Sequence, residues 1–208
     1  MNFKHNLFDK HNSAMRISHD EPGAANELAT EINGLLPSRI ISRPVVFVCI
    51  GTDRSTGDSL GPLVGTLLKE KRLSSFFVYG TLEDPIHAVN LEEKIIDIKN
   101  KHFNPFIIAI DACLGRLKSV GFIEIADGPV KPGAGVNKEL PEVGHMHITG
   151  IVNVGGFMEF FVLQNTRLHL VLNMAKIIAN AIYQASLSYK PTNYLSSTQW
   201  EIEKEQTT

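Results

Sequence analysis

Two short runs of continuously apolar residues constrain the fold of this chain more than any other feature. The runs are VVFVCI, from Val45 to Ile50, and PFIIAID, which is apolar from Pro105 until it reaches Asp111. Strands of this kind are typical of a parallel sheet covered on both faces. Further strand-like runs occupy residues 75–80, 121–127 and 147–154, and helical patterns separate them. The alternation predicts an α/β protein, a three-layer α/β/α sandwich with a mostly parallel sheet.

The helical patterns predict where the outer layers begin. One helix is expected to begin between Ser59 and Pro62, since proline is tolerated only in a first turn. A second is expected to begin at Pro85, with Asp84 as its N-cap. The alternating strand at residues 121–127 is expected at a sheet edge. Three aromatic residues at helical spacing are expected in the core: Phe157, Phe160 and Phe161.

The length of the chain, 208 residues, suits a single domain with a substantial core. Within that domain, residues 1–40 are predicted to form an N-terminal arm and a short helix. Residues 41–188 are predicted to form the α/β core, and residues 189–208 a C-terminal tail. No internal repeat or low-complexity segment interrupts this organisation.

Charge and cysteine content narrow the possible partners. The net charge is −2 and there is no long basic run, so nucleic acid is not expected as a partner. The two cysteines, Cys49 and Cys113, form no disulfide framework and indicate a reducing compartment. The N-terminus has no signal-peptide pattern, and the apolar segment from Leu168 to Ile182 is expected to be too short and too polar to span a bilayer. The prediction is a cytoplasmic protein that does not bind membranes.

Asp58 and Asp111 are the candidate catalytic residues. Each lies just beyond a buried strand, and in a parallel sheet such positions converge outside the carboxyl ends of the strands. Two neighbouring carboxyl groups can share a proton, so that one acts as a base toward water and the other as an acid toward a carbonyl. The alternative is structural, with Asp58 capping the helix that follows it and Asp111 binding loop amides.

Five further residues are candidates for binding a substrate: Asp53, Lys131, Lys138, His145 and His147. Asp53 shares the loop of Asp58, and the two lysines lie in a long Gly/Pro-rich loop where they could hold a carboxylate. The two histidines are spaced to share one face of a strand and could approach the aspartates, although surface histidines give the same pattern. Nucleotide binding is not expected, because Asp58 stands where a phosphate-binding loop needs a lysine.

Three motifs carry a resemblance to known proteins. TGDSLGP (Thr56 to Pro62), AIDACLG (Ala109 to Gly115) and KPGAGVNKEL (Lys131 to Leu140) together resemble the spore germination protease family. Within that group, the chain is most similar to the YyaC family of sporulation proteins of spore-forming Firmicutes. It is more distantly similar to hydrogenase maturation endopeptidases, whose fold is a phosphorylase/hydrolase-like α/β/α sandwich. The likeness runs from about Pro44 to Ile182.

The resemblance implies a sporulation-associated, peptidase-like protein. Its proposed catalytic aspartates match Asp58 and Asp111, and its substrates are proteins or peptides, with spore proteins as the class it suggests. Hydrogenase endopeptidases add a histidine to hold nickel, but the matching position here is Asn153. No metal or other cofactor is therefore predicted.

Two alternatives stay open. One is a non-catalytic binding protein on the same fold, acting in spore formation or germination. The other is a metal-dependent maturation endopeptidase in which His145 or His147 takes the place of the missing histidine. Assembly as a homo-oligomer is also left open.

Overall fold

The structure, a computed structural model, describes residues 14–37, 43–71, 73–133 and 140–189. Its strands are β1 (Met15–Ser18), β2 (Val45–Cys49), β3 (Phe76–Tyr79), β4 (Phe106–Gly115), β5 (Phe122–Asp127) and β6 (Met146–Val154). Its helices are α1 (Ala24–Leu35), α2 (Leu60–Lys71), α3 (Leu91–Lys101), α4 (Glu159–Gln164) and α5 (Leu168–Ser188). Short 3-10 turns occupy Gly57–Ser59 and Leu117–Ser119.

The strands form one sheet in the order β1-β5-β6-β4-β2-β3. Strands β6, β4, β2 and β3 pair in parallel, whereas β5 runs antiparallel to both of its neighbours. The predicted mostly parallel sheet is confirmed. The expectation that residues 121–127 form an edge strand is wrong, because β1 pairs with them through Ile17 opposite Ile123. Strand β1 lies in the segment predicted to be an N-terminal arm. It was not predicted as a strand because its four residues are too few to show a strand pattern in the sequence.

Helices cover both faces of the sheet, as the sandwich requires. Alternate residues of β2 point to opposite sides, so Phe47 packs with α1, α2 and α5 while Val48 packs in a second core with α3. All five residues of β2 are buried. The three-layer arrangement predicted from the apolar runs is confirmed.

Helix α5 is longer than the sequence pattern indicated. It has 21 residues and is long and apolar enough, by length and composition, to cross a membrane, so the expectation that it is too short is wrong. Half of the most apolar stretch of α5 is buried inside the fold, and Val171, Met174 and Ile178 are completely buried. The helix packs against α1 and α2. These contacts are typical of a central core helix.

Helix α2 begins at Leu60, within the predicted interval, but α3 begins six residues after Pro85. Residues 84–90 form a turn instead, and the Asp84 carboxylate contacts Lys94 Nζ at 2.8 Å rather than capping a helix. Asn90 accounts for the difference. Its side chain accepts a hydrogen bond from the His87 amide and donates one to the Pro85 carbonyl, which stabilises the turn.

The aromatic residues near α4 are not in the core. Phe157 is 86% exposed, and Phe160 and Phe161 are each about half exposed. Helix α4 has only six residues, and Leu163 is the one side chain that it buries. Because α4 is so short, only one of its residues is buried against the rest of the fold. The helical spacing of the three phenylalanines therefore did not indicate that they are buried, and the expectation that they lie in the core is wrong.

Candidate active site

An acidic cleft lies outside the carboxyl ends of β2 and β4. It is a cavity of about 470 Å³ that contains both Asp58 and Asp111. Its walls come from the loop after β2, the turn before α3, the start of the Gly/Pro-rich loop with Leu140, and two side chains of α4. The volume lies in the range of ordinary ligand pockets, ~300–1,000 Å³. The convergence expected from the two strand ends is therefore present.

Asp111 occupies a position where one edge of β4 becomes free. The pairing of β2 with β4 ends at Cys49 and Ile110, and the Ile50 amide adds a last hydrogen bond of 2.7 Å to the Ile110 carbonyl. Strand β4 does not end at Asp111, as the sequence suggested, because β6 continues to pair with it as far as Gly115. Asp111 thus sits on a rigid strand beside the opening left by β2.

Asp58 lies in the 3-10 turn that precedes α2, and its backbone is fixed by a close approach of Gly51. The Thr52 amide donates a hydrogen bond of 3.1 Å to the Asp58 carbonyl. A Cβ atom at Gly51, whose φ is +144°, would lie 1.9 Å from that same carbonyl oxygen. Only glycine fits there without moving the chain. The end of β2 therefore positions Asp58 at the cleft.

The surroundings raise the pKa of both carboxyl groups. Burial raises the pKa of Asp111 to about 8, against a smaller lowering by the Ala112 amide, which donates to Asp111 Oδ1 at 2.9 Å. The negative charge of Asp58 raises the pKa of Asp111 further. Burial also raises the pKa of Asp58 above its usual value. Near pH 7, Asp111 holds a proton and Asp58 is the more readily ionised member of the pair.

Ser55 is the polar neighbour of Asp58 in the cleft. Its hydroxyl is buried and makes no hydrogen bond of good geometry with the described residues, although it lies near enough to Asp58 to lower the pKa of that carboxyl. A buried hydroxyl without a partner is costly, ~1–3 kcal/mol. Ser55 is thus available to bind a water molecule or a substrate beside Asp58.

The structural alternative for the two aspartates explains little of this arrangement. The 3-10 turn that contains Asp58 has no side-chain cap hydrogen bond. Asp111 accepts the amide of its own neighbour, and the described residues give its second carboxylate oxygen no partner. Neither carboxyl group is therefore used up in stabilising a loop.

The loop candidates do not line the acidic cleft. Asp53 is exposed in the loop after β2 and is not among the residues that line the cavity, although its neighbours Thr52 and Arg54 are. Lys131 is exposed, although its neighbours Pro132 and Gly133 line the cavity. The expectation that Asp53 and Lys131 bind substrate does not fit these positions. Lys138 lies outside the described residues.

His145 lies at the other end of the sheet. Its ring stacks on Phe106, its Nδ1 accepts the Ile107 amide at 3.0 Å, and its Nε2 lies 3.1 Å from Arg43 Nη2. Ile107 precedes Asp111 by four strand residues, which is about 13 Å. The expectation that His145 binds substrate beside the aspartates does not fit, because its contacts hold it at the start of β4.

His147 lies closer but is also occupied. It pairs with Ala109 across the sheet, on the same face as Asp111, and its Nδ1 donates to the Gly128 carbonyl at 2.9 Å. The walls of the acidic cleft do not include it. The expectation that it binds substrate there does not fit either, because its ring is hydrogen-bonded to Gly128, just after β5.

His87 was missed by the sequence analysis, although it lines the acidic cleft with both aspartates. The helix predicted to begin at Pro85 would place His87 in its first turn, where a histidine does not indicate a functional site. Arg54 also lines the cleft and was not singled out. The one sequence signal for His87 was its position a few residues after β3, which ends at Tyr79, since residues that follow parallel strands often line a ligand site.

The residues do not fit a nickel site. The Asn153 amide donates to the Val162 carbonyl and to Thr166 Oγ1, both at 3.2 Å. It lines a separate cavity of about 560 Å³ beside α4. Among the described residues, no three side chains of the His, Cys, Asp and Glu types lie close enough to hold a metal ion. No catalytic step is therefore assigned to a metal.

Comparisons with known proteins place the chain in a family. Residues 16–181 match the model of the family described as "Protein of unknown function (DUF1256)", and the chain belongs to this family. It is 58% identical over 183 residues to the uncharacterized protein YyaC of Bacillus subtilis (strain 168), covering 88% of this chain and 89% of that protein.

A solved structure supports the fold. The [NiFe] hydrogenase maturation protease HycI from Thermococcus kodakarensis KOD1 aligns with a TM-score of 0.53, over 76% of this chain and 99% of that one. The sequence identity is 18%, so this likeness shows the fold alone. The resemblance to the YyaC family and the α/β sandwich of a maturation protease are both confirmed.

Proposed function

We propose that this member of the DUF1256 family is a peptidase-like hydrolase of sporulating cells, in which Asp58 and Asp111 act as a base and an acid. The observation that carries the proposal is that both carboxyl groups line one cleft and both have a raised pKa. Perturbed acids that meet in a cleft are typical of catalytic sites. The proposed location is the cytoplasm of the sporulating cell or spore, and the proposed substrates are proteins or peptides, including spore proteins.

The reaction needs only the two carboxyl groups and water. The ionised Asp58 removes a proton from a water molecule as its oxygen attacks the peptide carbonyl carbon. Asp111, which holds a proton near neutral pH because its pKa is about 8, donates that proton to the carbonyl oxygen. The Asp111 carboxylate takes a proton back from one hydroxyl of the resulting diol as the carbonyl re-forms. The peptide C–N bond breaks in the same step, and the proton taken by Asp58 passes to the leaving nitrogen. No covalent intermediate forms.

Peptide cleavage by the purified full-length chain tests this function. A library of peptides from sporulating-cell proteins, followed by mass spectrometry, should reveal specific cleavage sites. Removing one partner of a general acid–base pair costs ~10²–10⁴-fold in rate, so Asp58→Asn and Asp111→Asn should each lose at least about 100-fold. The matched control is Asp53→Asn, which changes an exposed carboxylate of the same loop.

The pH profile adds a second criterion. Cleavage should fall on the alkaline side as Asp111 loses its proton near pH 8, and on the acid side as Asp58 gains one. Cleavage that survives both asparagine substitutions would overturn the proposal, as would a wild-type chain that cleaves nothing between pH 5 and pH 9.

A non-catalytic binding protein is the second candidate, and one observation favours it. Phe157, Met158, Phe160 and Phe161 expose a large apolar surface next to the cleft, which is typical of interaction sites. This alternative predicts that the two asparagine variants support normal spore formation and germination in a complementation assay, whereas serine substitutions on α4 do not.

A further inference from the structure

We infer that His87 is a third catalytic residue of the acidic cleft, whose Nε2–H binds the carbonyl oxygen of the substrate as water attacks. The inference rests on the proposed function. It also follows from the placement of His87, which lines the same cavity as Asp58 and Asp111. The described residues bring no other histidine to that cavity.

The hydrogen bonds of the ring fix which nitrogen carries the proton. The Val89 amide donates to His87 Nδ1 at 3.3 Å, so Nδ1 is an acceptor. A neutral imidazole with an acceptor at Nδ1 carries its proton on Nε2. Among the described residues, only Nδ1 of this ring has a hydrogen bond, so the Nε2–H of a residue that lines the cleft is available to a ligand. A carbonyl oxygen that gains negative charge is the partner such a donor suits.

The turn around His87 is rigid enough to aim this donor. Its amide donates to Asn90 Oδ1 at 2.8 Å, and its carbonyl accepts the amides of Asn90 and Leu91 at 3.1 and 3.0 Å. Asn90 Nδ2 closes the turn on the Pro85 carbonyl at 3.0 Å. Asn90 is therefore a positioning residue, because it acts on the backbone that carries His87.

The same turn is tied to the loop that carries Asp58. The Gly51 amide donates to the Ile86 carbonyl at 2.7 Å, and Ile86 is almost completely buried against the end of β2. Gly51 in turn contacts the backbone of Asp58. The end of β2 thus sets the positions of both His87 and Asp58, as a preorganised site requires.

In the reaction, His87 transfers no proton. Asp58 takes a proton from water and Asp111 gives one to the carbonyl oxygen, as described above. The His87 Nε2–H donates a hydrogen bond to that oxygen while it becomes tetrahedral, and retains its proton when the C–N bond breaks. Its contribution is larger in the transition state than in the bound substrate, so it should appear in kcat rather than in KM.

Kinetics on the best-cleaved library peptide test the role. Losing one such donor costs ~10²–10³-fold in kcat, so His87→Leu should lose that factor with KM changed less than about threefold. His87→Gln should keep kcat within about tenfold of wild type, because its amide also presents an N–H. His169→Leu is the matched control, since His169 is exposed on α5. A His87→Leu variant with unchanged kcat overturns the inference.

Asn90 gives an independent arm. Asn90→Ala should lower kcat in the wild-type background and cause little further loss when His87 is already leucine. Full additivity of the two losses would show that Asn90 does not act through His87 and would overturn the assigned geometry.

Nitrogen-15 NMR of the histidine side chains provides a readout that needs no turnover. The His87 ring in the wild-type chain should be the Nε2–H tautomer at pH 8, and the assignment is made by loss of its signals in His87→Leu. An Nδ1–H tautomer overturns this inference and leaves the acid–base pair intact. A wild-type chain that cleaves no peptide overturns both proposals, so the two failures are distinguishable.

Discussion

The raised pKa of Asp111 makes a quantitative prediction about folding stability. A carboxyl group whose pKa is raised in the folded state contributes its full stability below the unfolded value, here 3.8, and loses it progressively until the pH reaches about 8. Each pKa unit corresponds to about 1.4 kcal/mol, so the loss at pH 7 amounts to about 4 kcal/mol. Because Asp111 borders a cleft that admits water, we expect the measured loss to be about 2 to 4 kcal/mol.

Asp111→Asn removes this penalty with little change in shape. The asparagine keeps an oxygen for the Ala112 amide and is neutral at every pH, like the protonated carboxyl group that it replaces. The variant should therefore be more stable than wild type at pH 7, by about 2 to 4 kcal/mol, and equally stable near pH 4. Other groups titrate in both proteins, so the difference between them isolates Asp111.

Urea unfolding at one-unit steps from pH 4 to pH 9 measures this difference. Asp53→Asn is the control for replacing a carboxylate by an amide, and its exposed position predicts an effect within about 0.5 kcal/mol at every pH. The reasoning is refuted if wild type and Asp111→Asn have the same stability at pH 7 and the same dependence on pH.

Three further predictions concern the surroundings of the cleft. Gly51→Ala should destabilise the fold by ~1–3 kcal/mol, because the added Cβ atom would meet the Asp58 carbonyl oxygen. The control is Gly34→Ala in α1, where an added Cβ atom meets no other atom; it should stabilise the fold slightly, and thermal unfolding distinguishes the two variants. Burial raises the pKa of the Cys113 thiol to about 11, so iodoacetamide at pH 8 should modify it at least ~100-fold more slowly in the folded chain than in urea, and rapid labelling would contradict this. Phe157→Ser should change the free energy of unfolding by less than about 0.5 kcal/mol, because Phe157 is 86% exposed, whereas Leu163→Ala should cost ~2–5 kcal/mol, because Leu163 is buried. Equal losses of the two variants in urea unfolding would show that the α4 surface is covered in solution.

The sheet and the acidic pair were predictable because local patterns determine them. Continuous apolar runs require cover on both faces, and parallel strands place their carboxyl ends at one edge. Asp58 and Asp111 therefore had to converge whatever the details of the loops. The neighbouring His87 was not predictable in this way. The Asp84–Pro85 signal for a helix start is local, whereas the turn that replaces it depends on the Asn90 side chain.

Other differences arise from contacts between distant segments. His145 was expected near the aspartates because it shares a strand face with His147 in the sequence pattern. Its position depends instead on contacts with the Phe106 ring and with Arg43, and both residues are distant from His145 in the sequence. Strand β1 likewise exists because β5 offers a free antiparallel edge. Such pairings are decided by tertiary structure and leave no signal in a short window of sequence.

The energetics of Asp111 help to separate catalysis from a structural role. Strand β4 extends beyond β2, so this residue has one unpaired edge and a buried carboxyl group that is costly to ionise. A residue kept for the fold alone would be better as asparagine, which accepts the Ala112 amide without the penalty at neutral pH. Asparagine cannot deliver a proton to a carbonyl oxygen, whereas a carboxyl group that remains protonated near pH 7 can. The instability that Asp111 causes is therefore the physical counterpart of the acid function proposed for it.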